Sequence, residues 1–250
     1  MIPKIVHYCW FGKGDIFPLA KKCIGSWKRY LPGYELKQWN EDNFDLDSNM
    51  YARQAYELKR YAYVADYVRL YALHNFGGIY MDVDVELLKN LDYFLKFPAF
   101  TGFEDEENVS TGVMGSIKNS EWIKGLLACY ARRVFILPDN KIDTSSNVAI
   151  VANSLREMGL VPNNQYQVIG GTIHVFPSEY FYPKSLATGE VVITPNTFCI
   201  HHFSASWMSY GRRLLTRIKW SLIKFLGVKT AARVVSFLRL KKVFRNKIEG

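Results

Sequence analysis

Several features that define other classes of protein are missing from this chain of 250 residues. It has four cysteines, which lie far apart and form no Cys-x-x-Cys pair: Cys9, Cys23, Cys129 and Cys199. In the absence of a recognisable signal peptide, this spacing predicts free thiols in a reducing compartment. The longest apolar runs are shorter than the roughly 20 residues that cross a bilayer, so no transmembrane helix is expected. We therefore expect an intracellular protein whose membrane association, if any, is peripheral.

The chain also lacks internal repeats and low-complexity linkers. Its length falls within the range of one α/β domain and is sufficient to bury a substantial core. Residues 2–10 form a nearly continuous apolar run that predicts a buried strand, followed by a helix over 18–30 and a second strand over 34–39. Strands that alternate with helices predict a parallel sheet with ligands at its carboxyl edge.

Positive charge is concentrated at the C-terminal end. The whole chain carries +9, but residues 208–250 contain twelve Lys or Arg and one acid, which gives this segment +11. The preceding 207 residues contain twenty basic and twenty-two acidic residues and carry −2. This asymmetry predicts one domain over 1–207 and an attached cationic module over 208–250.

Apolar residues recur at helical spacing within the cationic module. They form a stripe of Leu215, Ile218, Leu222, Phe225 and Leu226. Trp220 is expected to flank this stripe, and Gly227 to separate its helix from a second one over 230–244. A basic amphipathic helix pair suits an anionic membrane surface, where each cationic residue adds about 1 kcal/mol. Packing of the stripe on the domain is the alternative. Nucleic-acid binding is not expected, because the aromatics lie in the stripe and not among the charges.

Two aspartates, Asp82 and Asp84, stand at i and i+2 in a segment expected to be a strand, residues 79–85. Side chains alternate faces along a strand, so both carboxylates should point one way while Val83 and Val85 point into the core. Carboxylates this close repel each other unless a cation or a proton lies between them, and oxygen ligands favour Mg²⁺ or Mn²⁺. The pair predicts a divalent-metal site, with an exposed acidic loop as the alternative.

The segment before this pair is expected to form one helix over residues 52–75, which has apolar residues at three- and four-residue spacing and no glycine or proline. Gly77 and Gly78 should end it, because glycine tolerates positive φ just after a helix. Asp66 and Arg69 share one face of this helix and are placed to reach the pocket of the acidic pair. A solvated ion pair within the helix would explain the same two residues.

Three separated segments resemble a known family of enzymes. They are residues 2–12, the Asp-x-x-Arg and Gly-Gly-x-Tyr-x-Asp-x-Asp block over 66–84, and the His-His-Phe-Ser-Ala-Ser-Trp sequence at 201–207. In this order they resemble the family-32 glycosyltransferases with a DXD sugar-binding motif, which include yeast initiating mannosyltransferases, bacterial capsular-polysaccharide enzymes and relatives of the clostridial glucosylating toxins. The resemblance implies an α/β fold of GT-A type, with a Rossmann-like, mixed but mostly parallel sheet flanked by helices and followed by the basic helical tail.

The resemblance also implies roles for individual residues of the donor site. Trp10 would stack on the nucleotide base, while Asp66 and Arg69 would hold hydroxyls of the donor sugar. Ser206 and Trp207 would close over the diphosphate. Without the resemblance, Trp10 is explained equally well as a core tryptophan, and Ser206-Trp207 as an ordinary helix start.

The metal ligands that the resemblance implies are carboxylates and a histidine. Asp84 would bind Mn²⁺ or Mg²⁺ directly, and Asp82 would hold ribose or sugar hydroxyls and reach the metal through water. His201 and His202 are adjacent on a predicted strand, so they should face opposite sides and one of them should bind metal. His201 is favoured, because relatives usually keep a histidine six residues before the tryptophan of Ser-Trp.

Three further segments carry expectations that the structure can test. Residues 108–115 should form a polar loop that enters a strand and lines the acceptor side, as in enzymes of this fold. Residues 143–147 should open a helix that reaches residue 158, with Ser or Asn as its cap. The aromatic residues of 176–183 would suit the face of a sugar, although core packing explains them as well. His7 is expected to be a hydrogen-bonded core histidine.

The resemblance therefore implies a retaining hexosyltransferase that uses a nucleotide-sugar donor, UDP-hexose in preference to GDP-mannose, and a polysaccharide or lipid-linked glycan acceptor. The cationic tail would place it at the inner face of the cell membrane. The main alternative is a protein that binds a nucleotide sugar without turnover; it is disfavoured by the intact Asp66, Arg69, Asp82 and Asp84. A nucleotidyltransferase or phosphodiesterase would not need Ser206-Trp207, and a membrane adaptor would leave the acidic site without a role.

Overall fold

A computed structural model of the chain describes residues 1–204 and 210–237. The strands are β1 (Ile5–Cys9), β2 (Glu35–Trp39), β3 (Gly78–Met81), β4 (Val85–Leu87), β5 (Ala99–Phe103), β6 (Val109–Ser116), β7 (Gln167–Ile169), β8 (Ile173–Phe176) and β9 (Cys199–His201). The α-helices are α1 (Pro18–Tyr30), α2 (Met50–Glu57), α3 (Tyr61–Phe76), α4 (Glu121–Ala128), α5 (Asn147–Glu157), α6 (Ser178–Phe181) and α7 (Tyr210–Phe237). The predicted helix over 18–30 and the two strands around it are confirmed. Ser206 and Trp207 lie outside the described residues.

Seven strands form a mixed sheet in the order β2-β1-β3-β6-β5-β8-β7, with helices packed against it. β1 runs parallel to β2 and β3, and β5 runs parallel to β8, whereas the pairs β3–β6, β5–β6 and β7–β8 are antiparallel. The α/β class and the mixed sheet are confirmed; five of the seven strands run in one direction, and β6 and β7 run in the opposite one. Residues 104–108 and 170–172 turn β5 back into β6 and β7 back into β8, and connections this short allow only antiparallel neighbours.

The single helix predicted over residues 52–75 is two helices. α2 ends at Glu57, α3 begins at Tyr61, and Lys59 between them has a positive φ of 56°. The amides of Lys59 and Arg60 return to carbonyls in the last turn of α2 and so close it. No glycine or proline marks this break, and the apolar pattern continues across it. The break is therefore not predictable from the sequence.

Two glycines set the end of α3, as predicted. Gly77 and Gly78 have φ angles of 67° and 109°. A Cβ at Gly77 would lie 2.6 Å from the backbone nitrogen of Lys118, and one at Gly78 would lie 2.7 Å from the carbonyl oxygen of Ile5. Backbone conformation and space therefore both require glycine where the chain passes directly from α3 into β3.

His7 is a core residue of β1. Its Nε2 donates to the carbonyl of Gly77 at 2.7 Å, and its Nδ1 accepts a hydrogen bond from Trp39 Nε1 at 3.2 Å. Burial lowers the pKa of His7 to about 4, although the hydrogen bond to Gly77 opposes this shift. A neutral ring with both nitrogens engaged confirms the interpretation of His7 as a structural histidine.

The chain forms two compact units, one of residues 1–183 with 193–202 and one of residues 184–192 with the described residues from 203 onward. In the second unit, α7 is interrupted at Gly227, which has φ 74° and ψ 161°, so the predicted break is confirmed. Trp220 packs within this unit, because its Nε1 donates to the carbonyl of Leu186 at 3.2 Å. The division at residue 207 stays a prediction.

Within residues 1–204 and 210–237, no helix combines the length and the apolar character that a membrane span requires. The second tail helix was predicted over 230–244. Helical backbone continues to Phe237, and the remainder of that prediction falls on residues outside the described part of the chain.

Candidate active site

The two aspartates of the acidic motif lie on a turn, and the prediction that they share one strand is wrong. β3 ends at Met81 and β4 begins at Val85, whose amide donates to the carbonyl of Asp82 at 3.0 Å. The prediction that Val83 and Val85 both point into the core is therefore also wrong. Val85 is in the core, but Val83 is half-buried. The turn nevertheless directs the carboxylates of Asp82 and Asp84 toward one histidine ring.

That histidine is His201, on β9. β9 pairs antiparallel with β4 in a separate two-stranded sheet, where His201 lies opposite Val85. Its Nε2 lies 3.2 Å from Asp84 Oδ1 and 3.8 Å from Asp82 Oδ2. Asp84 and His201 are buried and Asp82 is half-buried. One potential ligand atom from each of these three residues lies within 4.8 Å of the other two.

This cluster has the donor set of a divalent-metal site. Carboxylate oxygens suit Mg²⁺ and Mn²⁺, and an imidazole nitrogen is a frequent ligand of transition metals. Burial opposes protonation of His201, but the carboxylates of Asp84 and Asp82 outweigh burial and raise its pKa. The surroundings of the ring therefore favour positive charge, and a divalent cation would supply the same compensation to the two carboxylates.

The structure places His202 elsewhere. Its Nε2 lies 2.8 Å from Glu86 Oε2, and Glu86 Oε1 in turn lies 2.8 Å from Lys22 Nζ. Adjacent side chains at the end of a strand point to opposite sides, so each histidine reaches a different acidic residue. Of the two candidate ligands, His201 lies at the aspartate pair and His202 does not.

Arg69 on α3 bridges the helix to the acidic turn. Its Nη2 lies 2.7 Å from Asp66 Oδ1, and its Nη1 lies 3.3 Å from Asp82 Oδ1. Nη1 also donates to the carbonyl of Thr111 at 2.8 Å, and the guanidinium lies 4.5 Å from the centre of the Tyr80 ring. The side chains of Arg69 and Asp66 are 6% and 16% exposed. The arrangement is therefore a buried bridge and not the solvated ion pair that the sequence also allowed.

Burial also changes the chemistry of Asp66. It raises the pKa of this carboxyl to about 6, an effect that the Arg69 guanidinium opposes and the charge of Asp82 increases. An ionised carboxylate accepts hydrogen bonds only, whereas a protonated one also donates. Asp66 can therefore accept or donate a hydrogen bond at this site.

Strand β6 supplies a wall of the site. Residues 109–116 form this inner strand, so the prediction of a polar loop over 108–115 is wrong for most of that segment. The amide of Asp82 donates to the carbonyl of Gly112 at 2.8 Å. A Cβ at Gly112 would lie 3.1 Å from both Asp82 Oδ2 and His201 Cε1. A side chain at this position would press on the metal cluster.

Tyr80 and Asn147 also belong to the site. Tyr80 Oη donates to Asp82 Oδ1 at 3.0 Å. Asn147 is buried at the start of α5, where Ser146 is the cap as predicted, and its Nδ2 donates to the carbonyl of Asp66 at 3.4 Å. Both residues stand in segments that the sequence singled out, but neither pattern indicates which side chain faces the site.

Trp10 follows β1 at the carboxyl edge of the sheet. Because β1, β2 and β3 are parallel, the residues after them, Trp10, Asn40 and Asp82, lie along one edge. Trp10 is half-buried, its Nε1 donates to the carbonyl of Gly14 at 2.6 Å, and together with Lys13 it lines an open cleft of about 490 Å³. Its position in a cleft differs from that of a plain core tryptophan. Stacking on a base stays a prediction.

The aromatic segment over residues 176–183 serves mainly to pack the core. Phe181 and Tyr182 are buried, which favours core packing over a sugar-binding surface. Tyr182 Oη accepts a hydrogen bond from the amide of Val113 at 2.7 Å, and its ring meets that of His201 edge-on at 5.7 Å between centres. Tyr182 thus supports the histidine of the candidate metal cluster.

Comparison with known proteins finds a family that matches part of the chain. Residues 19–101 match the family described as "Glycosyltransferase sugar-binding region containing DXD motif". The matched region includes α3, the two glycines and the acidic turn, and so contains Asp66, Arg69, Asp82 and Asp84. The match covers about a third of the chain, and over these residues the chain is similar to the DXD glycosyltransferases.

Several proteins are similar to this chain over about half of its length. Inositol phosphoceramide mannosyltransferase 3 of Schizosaccharomyces pombe is 30% identical over 133 residues, which are 49% of this chain and 35% of that protein. Mannosyl phosphorylinositol ceramide synthase CSH1 of Saccharomyces cerevisiae is 32% identical over 47% of this chain and 32% of its own length. An uncharacterized glycosyltransferase of Acanthamoeba polyphaga mimivirus is 32% identical over 48% of this chain and 51% of its own length. The chain thus spans between about a third and a half of the length of these relatives.

Two solved structures are distantly similar to this chain. PaToxG glycosyltransferase has a TM-score of 0.49 and 17% identity, and the similarity covers 62% of this chain and 68% of that one. A glycosyltransferase involved in the glycosylation of the major capsid of PBCV-1 has a TM-score of 0.43 and 13% identity, with coverage of 86% and 100%.

Proposed function

We propose that this chain is a retaining, metal-dependent hexosyltransferase of GT-A type that moves a hexose from a nucleotide sugar to a polysaccharide or lipid-linked glycan. The observation that carries the proposal is that Arg69, which binds Asp66, also contacts Asp82 of the Asp82, Asp84 and His201 cluster. The cluster suits a metal and a diphosphate, and the bridge suits sugar hydroxyls, so one site offers partners to both ends of a nucleotide sugar. UDP-hexose is the favoured donor, and two fungal relatives with mannosyl activities in their names make mannose the second sugar to test.

The metal half of the site would be held by three residues. Asp84 and His201 would bind Mn²⁺ or Mg²⁺ directly, and Asp82 would lie at its edge, where it also reaches ribose or sugar hydroxyls. When bound, the ion supplies positive charge that stabilises the departing diphosphate. Tyr80 and Arg69 fix the Asp82 carboxylate from the protein side.

The sugar half would orient the reacting carbon. Asp66 and Arg69 would hold hydroxyls of the donor, with its anomeric carbon facing the acceptor. Retention would follow from front-face chemistry: the bond from this carbon to the diphosphate oxygen breaks, the bond to the acceptor oxygen forms on the same face, and the leaving phosphate takes the acceptor's proton. This path needs no carboxylate nucleophile, and Asp66 is already engaged by Arg69.

A panel of nucleotide sugars tests the activity. UDP-glucose, UDP-galactose and GDP-mannose would each be incubated with Mn²⁺ and the wild type or Asp84→Asn, and donor consumption would be measured. Metal-dependent consumption that disappears in the variant supports the proposal. Glu86→Gln is the matched control, because it changes the carboxyl two residues after Asp84, which contacts His202 and Lys22. Tight nucleotide binding without consumption of any donor would favour a binding protein without turnover.

The cationic segment supports a second part of the proposal, contact with an anionic lipid surface at the inner face of the cell membrane. On α7, three residues of the predicted stripe, Ile218, Phe225 and Leu226, are 44%, 82% and 45% exposed, and Leu214 beside them is 43% exposed. Trp220 packs within its own unit. The stripe lies in a segment, residues 208–250, that carries +11, and this combination is typical of interfacial helices.

Vesicle co-sedimentation tests this contact. Binding should require phosphatidylserine, weaken as salt is raised, and fall in Phe225→Glu, with Tyr93→Glu as a control at an exposed aromatic outside the tail. Equal binding to neutral and anionic vesicles, or no binding to either, would contradict it.

A further inference from the structure

Arg133 connects the end of one helix to the start of the next. It lies between α4 and α5, where its Nε is 2.5 Å from Asp143 Oδ2 and its Nη2 donates to the carbonyl of Ser145 at 2.8 Å. The guanidinium lies 4.6 Å from the centre of the Tyr51 ring and 5.1 Å from that of Tyr130, and the side chain is 12% exposed. A planar group with two polar contacts and two neighbouring rings is held in one orientation, which a lysine would not be.

The segment that Arg133 holds leads directly into the candidate active site. Ser146 caps α5 by accepting a hydrogen bond from an amide of its first turn at 3.3 Å. The next residue, Asn147, is 1% exposed, and its Nδ2 donates to the carbonyl of Asp66 at 3.4 Å. Residues 143–147 therefore link Arg133 to the residue that would hold hydroxyls of the donor sugar.

Two buried polar atoms along this link lack a hydrogen-bond partner among the described residues. They are Nη1 of Arg133 and Oδ1 of Asn147. Buried polar groups are nearly always hydrogen-bonded, and a buried one left unsatisfied is costly. The link is thus built so that its hydrogen bonding is completed by a further polar molecule, either water or a ligand that carries hydroxyl groups.

We infer that Arg133 is a positioning residue for the sugar half of the donor site and acts through residues 143–147 on Asp66. This inference rests on the proposed function. Arg133 contacts α2 and residues 130–145, whereas the cleft at Trp10 and the metal cluster are formed at the ends of strands and on the acidic turn. Loss of the Arg133 contacts should therefore impair handling of the sugar and leave binding of the nucleoside diphosphate unchanged.

The test compares binding of UDP and GDP in the presence of Mn²⁺ with the kinetics of UDP-glucose and GDP-mannose. In Arg133→Gln and in Asp143→Asn, we expect KM for the donor that is turned over to rise about 10-fold, while Kd for its nucleoside diphosphate changes by less than about 2-fold. Arg133→Lys should fall between these variants and the wild type, because it keeps the charge beside Asp143 and loses the second donor. The exposed neighbour provides the control, and Arg132→Gln should change neither quantity.

Hydrogen exchange separates this inference from the proposed function. In the absence of any ligand, amides of residues 143–150 should exchange faster in Arg133→Gln than in the wild type. Faster exchange in a protein whose wild type consumes no donor would mean that the proposed function fails while the link stands. Unchanged exchange, or equal losses of donor and nucleotide affinity, would overturn the role of Arg133. If Arg133→Gln does not fold, Asp143→Asn and Arg133→Lys provide the same measurements.

Discussion

Where β4 meets β9, Asp84 faces His201 and, two residues further along, Glu86 faces His202. The two pairs have similar lengths, with the nearest nitrogen and oxygen 3.2 Å and 2.8 Å apart. Their side chains differ in burial, at 8% and 11% exposed for Asp84 and His201 against 17% and 21% for Glu86 and His202. They differ above all in their third partner, because a second carboxylate lies near the first pair and the ammonium of Lys22 lies near the other.

The third partner determines what each pair can do. Burial opposes ionisation of Glu86, but its hydrogen bonds with Lys22 and His202 outweigh burial and lower its pKa. Negative charge there is compensated within the protein. Asp82 and Asp84 both approach one histidine, and Asp82 also lies 3.3 Å from Arg69. Two carboxylates this close together favour a bound cation. The third group beside the Asp84 and His201 pair is a carboxylate, that of Asp82, which makes this pair a candidate metal site. The third group beside the Glu86 and His202 pair is the ammonium of Lys22, which makes that pair a structural ion pair.

Asp84→Asn should produce the largest difference between the two pairs. The amide keeps the shape of the side chain but removes the charge that would bind the ion directly. We expect kcat with Mn²⁺ to fall about 10³-fold, which corresponds to ~4 kcal/mol of lost transition-state stabilisation. Mn²⁺ should also stop raising the unfolding temperature, because ligand binding to the folded state is the source of that shift. Turnover assays and thermal unfolding with and without Mn²⁺ measure both effects.

An Asp84→Asn protein that retained metal-dependent turnover within tenfold of the wild type would remove the cluster from consideration as the metal site. The wild type treated with a chelator provides the reference, since it keeps the carboxylate and loses the ion. Both preparations should show the same low activity, and added Mn²⁺ should restore the chelated wild type alone.

The two histidines provide the next most sensitive comparison. His201→Ala removes a candidate ligand, whereas His202→Ala removes a partner of Glu86. We expect Kd for Mn²⁺ to rise about 100-fold in the first variant and less than about 2-fold in the second, given that residues around metal sites typically contribute 10- to 100-fold. Titration calorimetry measures both values. The reverse order would reassign the metal ligand to His202.

Gly112→Ala tests the space around the cluster. The added methyl group would lie 3.1 Å from Asp82 Oδ2 and from His201 Cε1, so these groups must move by a few tenths of an ångström. We expect Mn²⁺-dependent kcat/KM to fall about 10-fold through this misplacement. Gly125→Ala is the control, because a Cβ there meets nothing within 4 Å. Kinetics of both variants check the prediction, and equal activities would show that the site accommodates the methyl group.

Features that were predictable from sequence have local causes. The helix Pro18–Tyr30 and the Gly77–Gly78 turn depend on apolar spacing and on the backbone freedom of glycine, which neighbouring residues reveal. The break at Lys59 carries no such signal, because a residue with a side chain adopts positive φ there. The antiparallel course of β6 is set by pairing with β3 and β5, which lie elsewhere in the sequence.

The same distinction holds for the site. The carboxylate pair predicts a metal, because oxygen ligands favour Mg²⁺ or Mn²⁺. The sugar is implied by the family resemblance. Sequence spacing could not reveal the turn at Asp82 and Asp84, the separation of His201 from His202, or the approach of Gly112. Each of these is fixed by contacts between segments far apart in the chain, and only the family resemblance favoured His201 in advance.

The smallest effect is expected from Glu86→Gln, which removes the charge of the second pair. Lys22 is 61% exposed, so solvent screens its ion pair, and we expect the free energy of unfolding at pH 7 to fall by only about 0.5–1 kcal/mol. Because the folded-state pKa of Glu86 is lowered, this contribution is present above the pKa of the unfolded chain and is lost as pH falls through the folded-state value. The free energies of unfolding in urea of the variant and the wild type should therefore differ at pH 7 and converge in acid.

In Glu86→Gln, Mn²⁺ affinity and turnover should stay within about 2-fold of the wild type, since this carboxylate already has its counter-ion within the protein. A large loss of metal binding in Glu86→Gln would mean that the two pairs act together as one site.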